Sequence, residues 1–291
     1  NYRDFCDLET ALLGLLCQSS GISTKSARLK KMAGEKPIFS FGVRRMHPAI
    51  APKIDRAAYL GGLDGFSCIG AEKIIGKKAS GTMPHSLALI IGDSKEAFVL
   101  FDQIIDKDIP RIMLADTFCD EKREALIAAE NIKNLTGVRL DTPGSRRGNM
   151  SKIIQEVRWE LDIRGYKDVK IFLSGGLDEE SFRSFKDADA FGVGTSVSNA
   201  KTIDFALDIV EVEGKPFTKR GKLSGKKTVL RCPKCMAGKI VYGKTNEKCT
   251  CGEKMKPAQI NLMKKGKILI NFEDVNDIRA NVLNLIKKVE F

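Results

Sequence analysis

Apolar, β-branched runs recur along the first two thirds of the chain, at 37–41, 65–69, 78–81, 111–115, 137–140, 169–173 and 190–193, with turn residues after each. Segments of helical periodicity fill most of the intervals, at 49–60, 94–105, 121–134, 150–164, 179–186 and 203–210. Strand then helix, repeated, predicts a parallel sheet of seven strands. The runs are almost continuously apolar, so both sheet faces should be covered, as in an α/β barrel with its helices outside. An open doubly wound sheet is the alternative, but it needs polar residues only at one switch point. Here nearly every run ends in them. The stretch 8–17 already reads as an apolar helix, so residues 1–35 are expected to be a helical linker from a segment upstream of Asn1.

The character changes after the barrel region, 36–212. Residues 214–291 hold 19 Lys and Arg against 6 Asp and Glu, whereas residues 1–213 hold 30 against 31, so the whole surplus of +12 sits in the tail. The tail predicts exposed strands at 215–229 and 267–271 and an amphipathic helix at 275–289, with Asp274 as its N-cap. A sandwich-type C-terminal domain, 213–291, is therefore expected beside the barrel. No apolar stretch approaches the roughly 20 residues that cross a bilayer, and no signal-like sequence opens the chain. A cytoplasmic location without membrane contact is expected.

Within the tail, Cys232-Pro233-Lys234-Cys235 is followed by Cys249-Thr250-Cys251. Two tight turns of this kind aim four thiolates at one tetrahedral ion, which predicts a closed, structural Zn²⁺ site over 232–251. Redox cysteines or a disulfide are the alternatives. Cys6, Cys17, Cys68 and Cys119 lie among apolar neighbours and read as buried filler.

Candidate chemistry gathers at the run ends. Ser174-Gly175-Gly176-Leu177-Asp178 and Phe191-Gly192-Val193-Gly194-Thr195 offer bare backbone N–H groups and helix starts to a phosphate, as late strands of a barrel do. Arg44, Arg45 and Arg139 predict a cationic cluster for carboxylate or phosphate, with pairing to Asp116 or Asp141 as the plainer reading. Asp116 and Asp141 suit ribose hydroxyls or a Mg²⁺ carried by diphosphate. The two histidines, His47 and His85, both follow strands; His85 stands beside Thr82, Gly81 and Ser86, where an imidazole can meet a transferred group.

The runs SFGVRRMHPAIAPKIDRAAYLGGLDGFS, GTMPHSL, GVRLDTPGSRRGN, FLSGGLDEE and FGVGTSV resemble nicotinate phosphoribosyltransferase, above all the archaeal and bacterial branch with a C-terminal four-cysteine zinc knuckle. The resemblance implies a type II phosphoribosyltransferase, with an incomplete TIM-like α/β barrel and an α/β sandwich drawn from both chain ends. It implies transfer of 5-phosphoribosyl from its 1-diphosphate to nicotinate, giving nicotinate mononucleotide in NAD salvage, with ATP hydrolysis coupled and Mg²⁺ present. By motif, it implies that Thr82 lies near nicotinate and that His85 is the histidine phosphorylated by ATP. Arg139 would bind substrate, Gly194 and Thr195 the 5′-phosphate, with Ser174, Gly175 and Gly176 as the partner loop. Arg44, with Arg45 and His47 beside it, would face diphosphate or carboxylate. Asp116 and Asp141 would balance positive charge on the ribose. A homo-oligomer is implied as well, together with family residues ahead of Asn1 that include an aromatic stacking on nicotinate.

Two other readings compete. A quinolinate phosphoribosyltransferase shares fold and reaction but needs a denser basic cluster. A nucleic-acid-binding protein would use the basic, zinc-stabilised tail, yet the tail carries few aromatics for base stacking, namely Phe217, Tyr242, Phe272 and Phe291.

Overall fold

The computed structural model describes residues 2–141, 144, 146–243, 245–271 and 274–289, which leaves Pro143, Phe272 and Phe291 outside it. In chain order the elements are α1 (Tyr2–Ala33), β1 (Ile38–Ser40), α2 (Ala51–Leu60), β2 (Gly65–Phe66), α3 (Glu72–Ile75), α4 (His85–Ile91), α5 (Ser94–Ile104), β3 (Arg111–Leu114), α6 (Glu121–Asn131), β4 (Leu135–Leu140), α7 (Met150–Ile163), β5 (Lys170–Leu173), α8 (Glu179–Ser184), β6 (Ala190–Val193) and α9 (Thr195–Ser198). There follow β7 (Glu211–Val212), β8 (Lys215–Pro216), β9 (Lys227–Arg231), β10 (Gly238–Tyr242), β11 (Lys256–Pro257), β12 (Met263–Lys264), β13 (Lys267–Ile268) and α10 (Val275–Ile286).

Strands β2-β1-β6-β5-β4-β3 form one six-stranded sheet in that order, with every pair parallel. It is an incomplete α/β barrel. Six of the seven expected strands are there; 78–81 is not a strand. Its one ladder-like bond runs from the Ser80 N–H to the Phe66 carbonyl at 2.7 Å. The exposed Lys77 and Lys78 and the left-handed Gly76 ahead of it leave no apolar face to bury. The sheet therefore stays open between β2 and β3.

Buried strand residues such as Ile38, Met113, Val138, Ile171 and Val193 pack under Ile54, Phe98, Ala128, Ile154 and Phe182 of the helices as one core. Helices α5, α6, α7 and α8 begin where the chain supplies a side-chain acceptor. Asp93, Asp120 and Asn149 accept the backbone N–H of Glu96, Arg123 and Lys152, and Asp178 forms a reciprocal capping box with Ser181. Asp55 of α2 is fully buried and accepts from the Ser40 hydroxyl at 2.6 Å.

The chain divides into two compact units, 19–202 and 1–18 with 203–291. The boundaries thus fall at 18/19 and 202/203, whereas the sequence suggested 35/36 and 212/213. The second half of α1 belongs with the barrel because Ile22 and Leu29 enter its core, Ser23 donates to the Ala57 carbonyl at 2.7 Å, and Lys30 pairs with Asp64 at 3.0 Å. Residues 203–210 are not helical. Ile203 N–H bonds the Cys17 carbonyl, and the Val210 carbonyl accepts from Phe217 and Gly225, so their backbone is committed elsewhere.

In the second unit a three-stranded antiparallel sheet, β10-β9-β11, carries the cysteine pairs, and β7–β8 and β12–β13 are two-stranded hairpins. The expected strand over 215–229 is broken into β8 and the start of β9, with left-handed Gly221 and Gly225 between them. Helix α10 starts at Asp274, which accepts the Asn276 N–H at 2.8 Å. Among the described residues no helix is long and apolar enough to cross a membrane.

Glu179 at the start of α8 ties α1 to the barrel, accepting from Arg28 at 3.0 and 3.1 Å and from Lys25 at 2.8 Å. The Arg28 and Lys25 donors hold its carboxyl down to about 2. A carboxylate whose pKa is depressed on folding stabilises above its unfolded value and loses that contribution as pH falls toward the folded one. Between about pH 4.5 and 2 the clamp should therefore fade, by about 1 kcal/mol once solvent screening is allowed for. Glu179→Gln is expected to lower the denaturation midpoint at pH 7 and to lose less stability than the parent between pH 5 and pH 3. The fluorescence of Trp159, the chain's only tryptophan, reads this out; parallel losses in both proteins would remove the clamp from the account.

Candidate active site

A cavity of about 650 Å³ opens at the carboxyl ends of the parallel strands, lined from the β1, β2, β4, β5 and β6 exits and from the loop ahead of α4. Its polar groups arrive on separate elements, as in barrel active sites generally. Beneath it lies an apolar pocket of about 440 Å³ inside the sheet's curl, which shares Thr82 and Arg139 with the cavity. There Phe39, Phe41 and Phe172 cluster with ring centroids 5.4 to 6.4 Å apart. Gly192 permits this packing, since a Cβ there would stand 2.5 Å from the Phe41 ring.

The glycine-loop side of the cavity is built from backbone. Gly175 and Gly176 both adopt left-handed φ, +91° and +69°, a geometry in which other residues are strained. Nothing crowds a Cβ at Gly176, so the conformation and not the space demands glycine there. Gly194 caps α9, Thr195 opens it, and the Ser196 hydroxyl donates to the Leu177 carbonyl at 2.7 Å, which joins the two glycine loops. All four predicted backbone residues, Gly175, Gly176, Gly194 and Thr195, line the cavity together with Ser174.

Arg44 and Arg45 sit on a 3₁₀ turn after β1, both exposed and both on the cavity wall. Among the described residues neither is paired with a carboxylate. His47, expected beside them, does not line the cavity. It is exposed, and its Nδ1 accepts the Ala49 N–H at 3.2 Å, a local turn that leads into α2.

Arg139 departs from expectation in another way. It lines the cavity, but its side chain is buried and its donors are engaged: Nη1 reaches Asp141 at 2.8 Å and the Ser174 hydroxyl at 3.0 Å, and Nη2 reaches the Met83 carbonyl at 2.7 Å. The Ser174 hydroxyl in turn donates to Asp141. The ion-pairing alternative is what this conformation contains.

His85 is the first residue of α4 and faces the cavity, with Nε2 2.9 Å from Asp116 Oδ1. Asp116 itself lies behind the wall, its side chain 2% exposed, and its Oδ2 accepts the Asp141 N–H at 2.6 Å. Asp116 thus reaches the cavity through His85, while Asp141 lines it directly. Ser67, absent from the sequence reading, also lines the wall. The sequence placed it inside the expected strand 65–69, whereas β2 ends at Phe66 and leaves Ser67 at the strand exit. A larger open cleft of about 700 Å³ lies at the opposite strand ends. Lys107 and Arg111 line it, and Arg111 is spent on the Asp102 carboxylate and on four backbone carbonyls.

In the other unit, the Sγ atoms of Cys232, Cys235, Cys249 and Cys251 all lie within 4.8 Å of one another. Cys232 and Cys251 are 3.5 Å apart, and Cys235 and Cys249 3.4 Å. A disulfide needs about 2.05 Å; four sulfurs at about 2.3 Å from one tetrahedral zinc stand roughly 3.8 Å apart. The backbone N–H of Cys251 and the Cys235 thiol hold Cys249 down to about 6. Cys235, although the Ala237 N–H favours its thiolate, is pushed up to about 12 by Cys249 and Cys232. Like charges crowded this closely resist joint ionisation without a cation.

Comparison with known proteins agrees with this geometry. The family model described as quinolinate phosphoribosyl transferase, C-terminal domain, matches residues 22–208. The crystal structure of nicotinate-nucleotide pyrophosphorylase from Pyrococcus furiosus is 53% identical with a TM-score of 0.94, over all of this chain and 76% of that one. A nicotinate phosphoribosyltransferase of Mycobacterium tuberculosis is 31% identical over 77% of this chain and 50% of its own length. Human nicotinic acid phosphoribosyltransferase, at 18% identity and a TM-score of 0.69 over 97% of this chain and 71% of that one, shares the fold. The chain spans about half the length of the curated relatives it matches. A parallel half-barrel with glycine turns and paired polar groups at its strand ends, matched by a family model across most of that barrel, places this chain in the quinolinate phosphoribosyltransferase family through its C-terminal domain.

Proposed function

We propose that the chain carries the catalytic barrel of a nicotinate phosphoribosyltransferase, which joins nicotinate to 5-phosphoribosyl 1-diphosphate and releases diphosphate. One observation carries the reading: a single cavity unites the two glycine loops, the unpaired Arg44 and Arg45, and the His85–Asp116 pair. Backbone amides of the glycine loops suit the 5′-phosphate. The pyridine nitrogen attacks the anomeric carbon as its bond to the diphosphate oxygen breaks, so no side-chain nucleophile is required. Charge builds on the leaving diphosphate, where Arg44 and Arg45 stabilise it, and positive charge on the ribose faces Asp141. Mg²⁺ travelling with the diphosphate would neutralise further charge, and Asp141 is the carboxylate on the wall to hold it.

ATP enters this reading as a co-substrate. A carboxylate only accepts, so Asp116 keeps the proton of His85 on Nε2 and leaves Nδ1 with its lone pair. Nδ1 can then take the terminal phosphoryl group of ATP as ADP departs, and water later breaks the P–N bond, releasing inorganic phosphate and the free histidine. The matched family model, described as quinolinate phosphoribosyl transferase, keeps quinolinate in view. Against it, Arg44 and Arg45 must serve the diphosphate too, and Arg139 already directs its donors to Asp141, the Ser174 hydroxyl and the Met83 carbonyl. That supply of cations suits one ring carboxylate better than two.

Calorimetry with nicotinate, nicotinamide and quinolinate in the presence of 5-phosphoribosyl 1-diphosphate should show nicotinate binding at least tenfold tighter than either; preference for quinolinate would transfer the reading to that substrate. His85→Ala should remove the stimulation of nucleotide formation by ATP while keeping most of the ATP-independent rate, and equal loss of both would reject the phosphorylation role.

For the four cysteines we propose a structural Zn²⁺ held by Cys232, Cys235, Cys249 and Cys251, which would join the β9–β10 turn to the loop before β11. Elemental analysis of the purified chain should give about one zinc per molecule, lost in Cys232→Ser, together with faster hydrogen exchange in 227–257. A metal-free chain with the same protection over that segment would refute it.

A further inference from the structure

Among the described residues, Ser67 is the one cavity-lining side chain whose polar atom is both shielded from water and without a hydrogen-bond partner. The other hydroxyls of the wall that are tied down have named acceptors, Ser174 at Asp141 and Ser196 at the Leu177 carbonyl. Thr117 and Glu121 also keep a buried unpartnered oxygen, but neither lines the cavity. A buried hydroxyl left unpaired is unfavourable, and a turn of the Ser67 side chain toward the cavity gives it an acceptor on what binds there.

The backbone under Ser67 is held with unusual thoroughness. The N–H groups of Ser67 and Cys68 both donate to Asp55 Oδ2, at 3.2 and 2.9 Å, while the Ser40 hydroxyl holds Oδ1. Asp55 is fully buried, and that burial pushes its carboxyl above the usual range in spite of these three donors. A buried carboxylate is thus committed to fixing the exit of β2, the strand end from which Ser67 meets the cavity. Arg44 and Arg45 follow β1, the strand paired with β2, and line the same cavity, so the ligand group suited to this side is an anionic oxygen.

We propose that Ser67 is a substrate-contacting residue whose hydroxyl donates to an anionic oxygen, phosphate or carboxylate, held on the Arg44 and Arg45 side of the cavity. The proposal rests on the phosphoribosyl-transfer reading for the identity of that oxygen and on the cavity alone for its charge. In Ser67→Ala the KM of one substrate should rise about tenfold with kcat changed much less, as expected for loss of one hydrogen bond to a charged group. A rise for 5-phosphoribosyl 1-diphosphate assigns the oxygen to a phosphate; a rise for nicotinate assigns it to the ring carboxylate. Ser67→Thr should recover part of the loss. Because the hydroxyl supports nothing in the ligand-free fold, the thermal midpoint of Ser67→Ala should equal or exceed that of the parent. Unchanged KM values, or a lowered midpoint as the only effect, would overturn the proposal. If the parent chain forms no nucleotide, the transfer reading fails separately, and calorimetry with inorganic diphosphate decides this one: binding about tenfold weaker in Ser67→Ala supports it, while equal affinity, or no binding by either protein, overturns it.

Discussion

The arrangement of the strand-end cavity depends on one buried guanidinium. Arg139, at the end of β4, grips Asp141, the Ser174 hydroxyl and the Met83 carbonyl at once. Those partners belong to three different exits of the sheet: the β4 loop, the β5 glycine loop and the segment that leads into His85. Breaking a buried ion pair by removal of one partner typically costs about 3 to 5 kcal/mol. The walls of the cavity are therefore set relative to one another by this charge. Asp116 extends the same network, binding His85 with one oxygen and the Asp141 N–H with the other. The imidazole and the carboxylate that faces the ribose in the proposed reaction share a single scaffold.

That scaffold exists because the barrel is incomplete. With no strand at 78–81, the segment before α4 is free of ladder bonds beyond Ser80, and it can approach Arg139 from the open side of the sheet. A completed ladder would hold the Met83 carbonyl in the strand direction. The opening also leaves an apolar interior lined by Phe39, Phe41 and Phe172 under the polar cavity, a division between ring-compatible floor and anion-compatible rim.

Much of this was legible in the chain itself. Continuous apolar runs followed by capping residues identified six strands and most helices within a few positions, because burial on both faces and side-chain caps are local signals. The two glycine loops were readable for the same reason: positive φ at Gly175 and Gly176 is written in the residue type. What the pattern could not supply was partnership in three dimensions. Arg139 and Asp141 stand two apart in sequence, yet the contacts to Met83 and Ser174 that immobilise the guanidinium come from residues 56 and 35 positions away. His47 shared every local feature of a site histidine but is satisfied by a neighbour two residues on. Asp116 was recognised as a site residue without any sign that it would act from behind His85. Ser67 lay inside the expected strand 65–69 and so carried no sign of a site residue, and the 203–210 run was helical in period but had its backbone claimed by Cys17, Phe217 and Gly225.

The most direct test of the account is a crystal structure of the chain with 5-phosphoribosyl 1-diphosphate bound. The account predicts the 5′-phosphate on the backbone amides of the 175–176 and 194–195 loops, the diphosphate toward Arg44 and Arg45, and Arg139 still paired with Asp141. An ester seated outside the strand-end cavity, or one that displaces Arg139 from Asp141 to bind it directly, would contradict it.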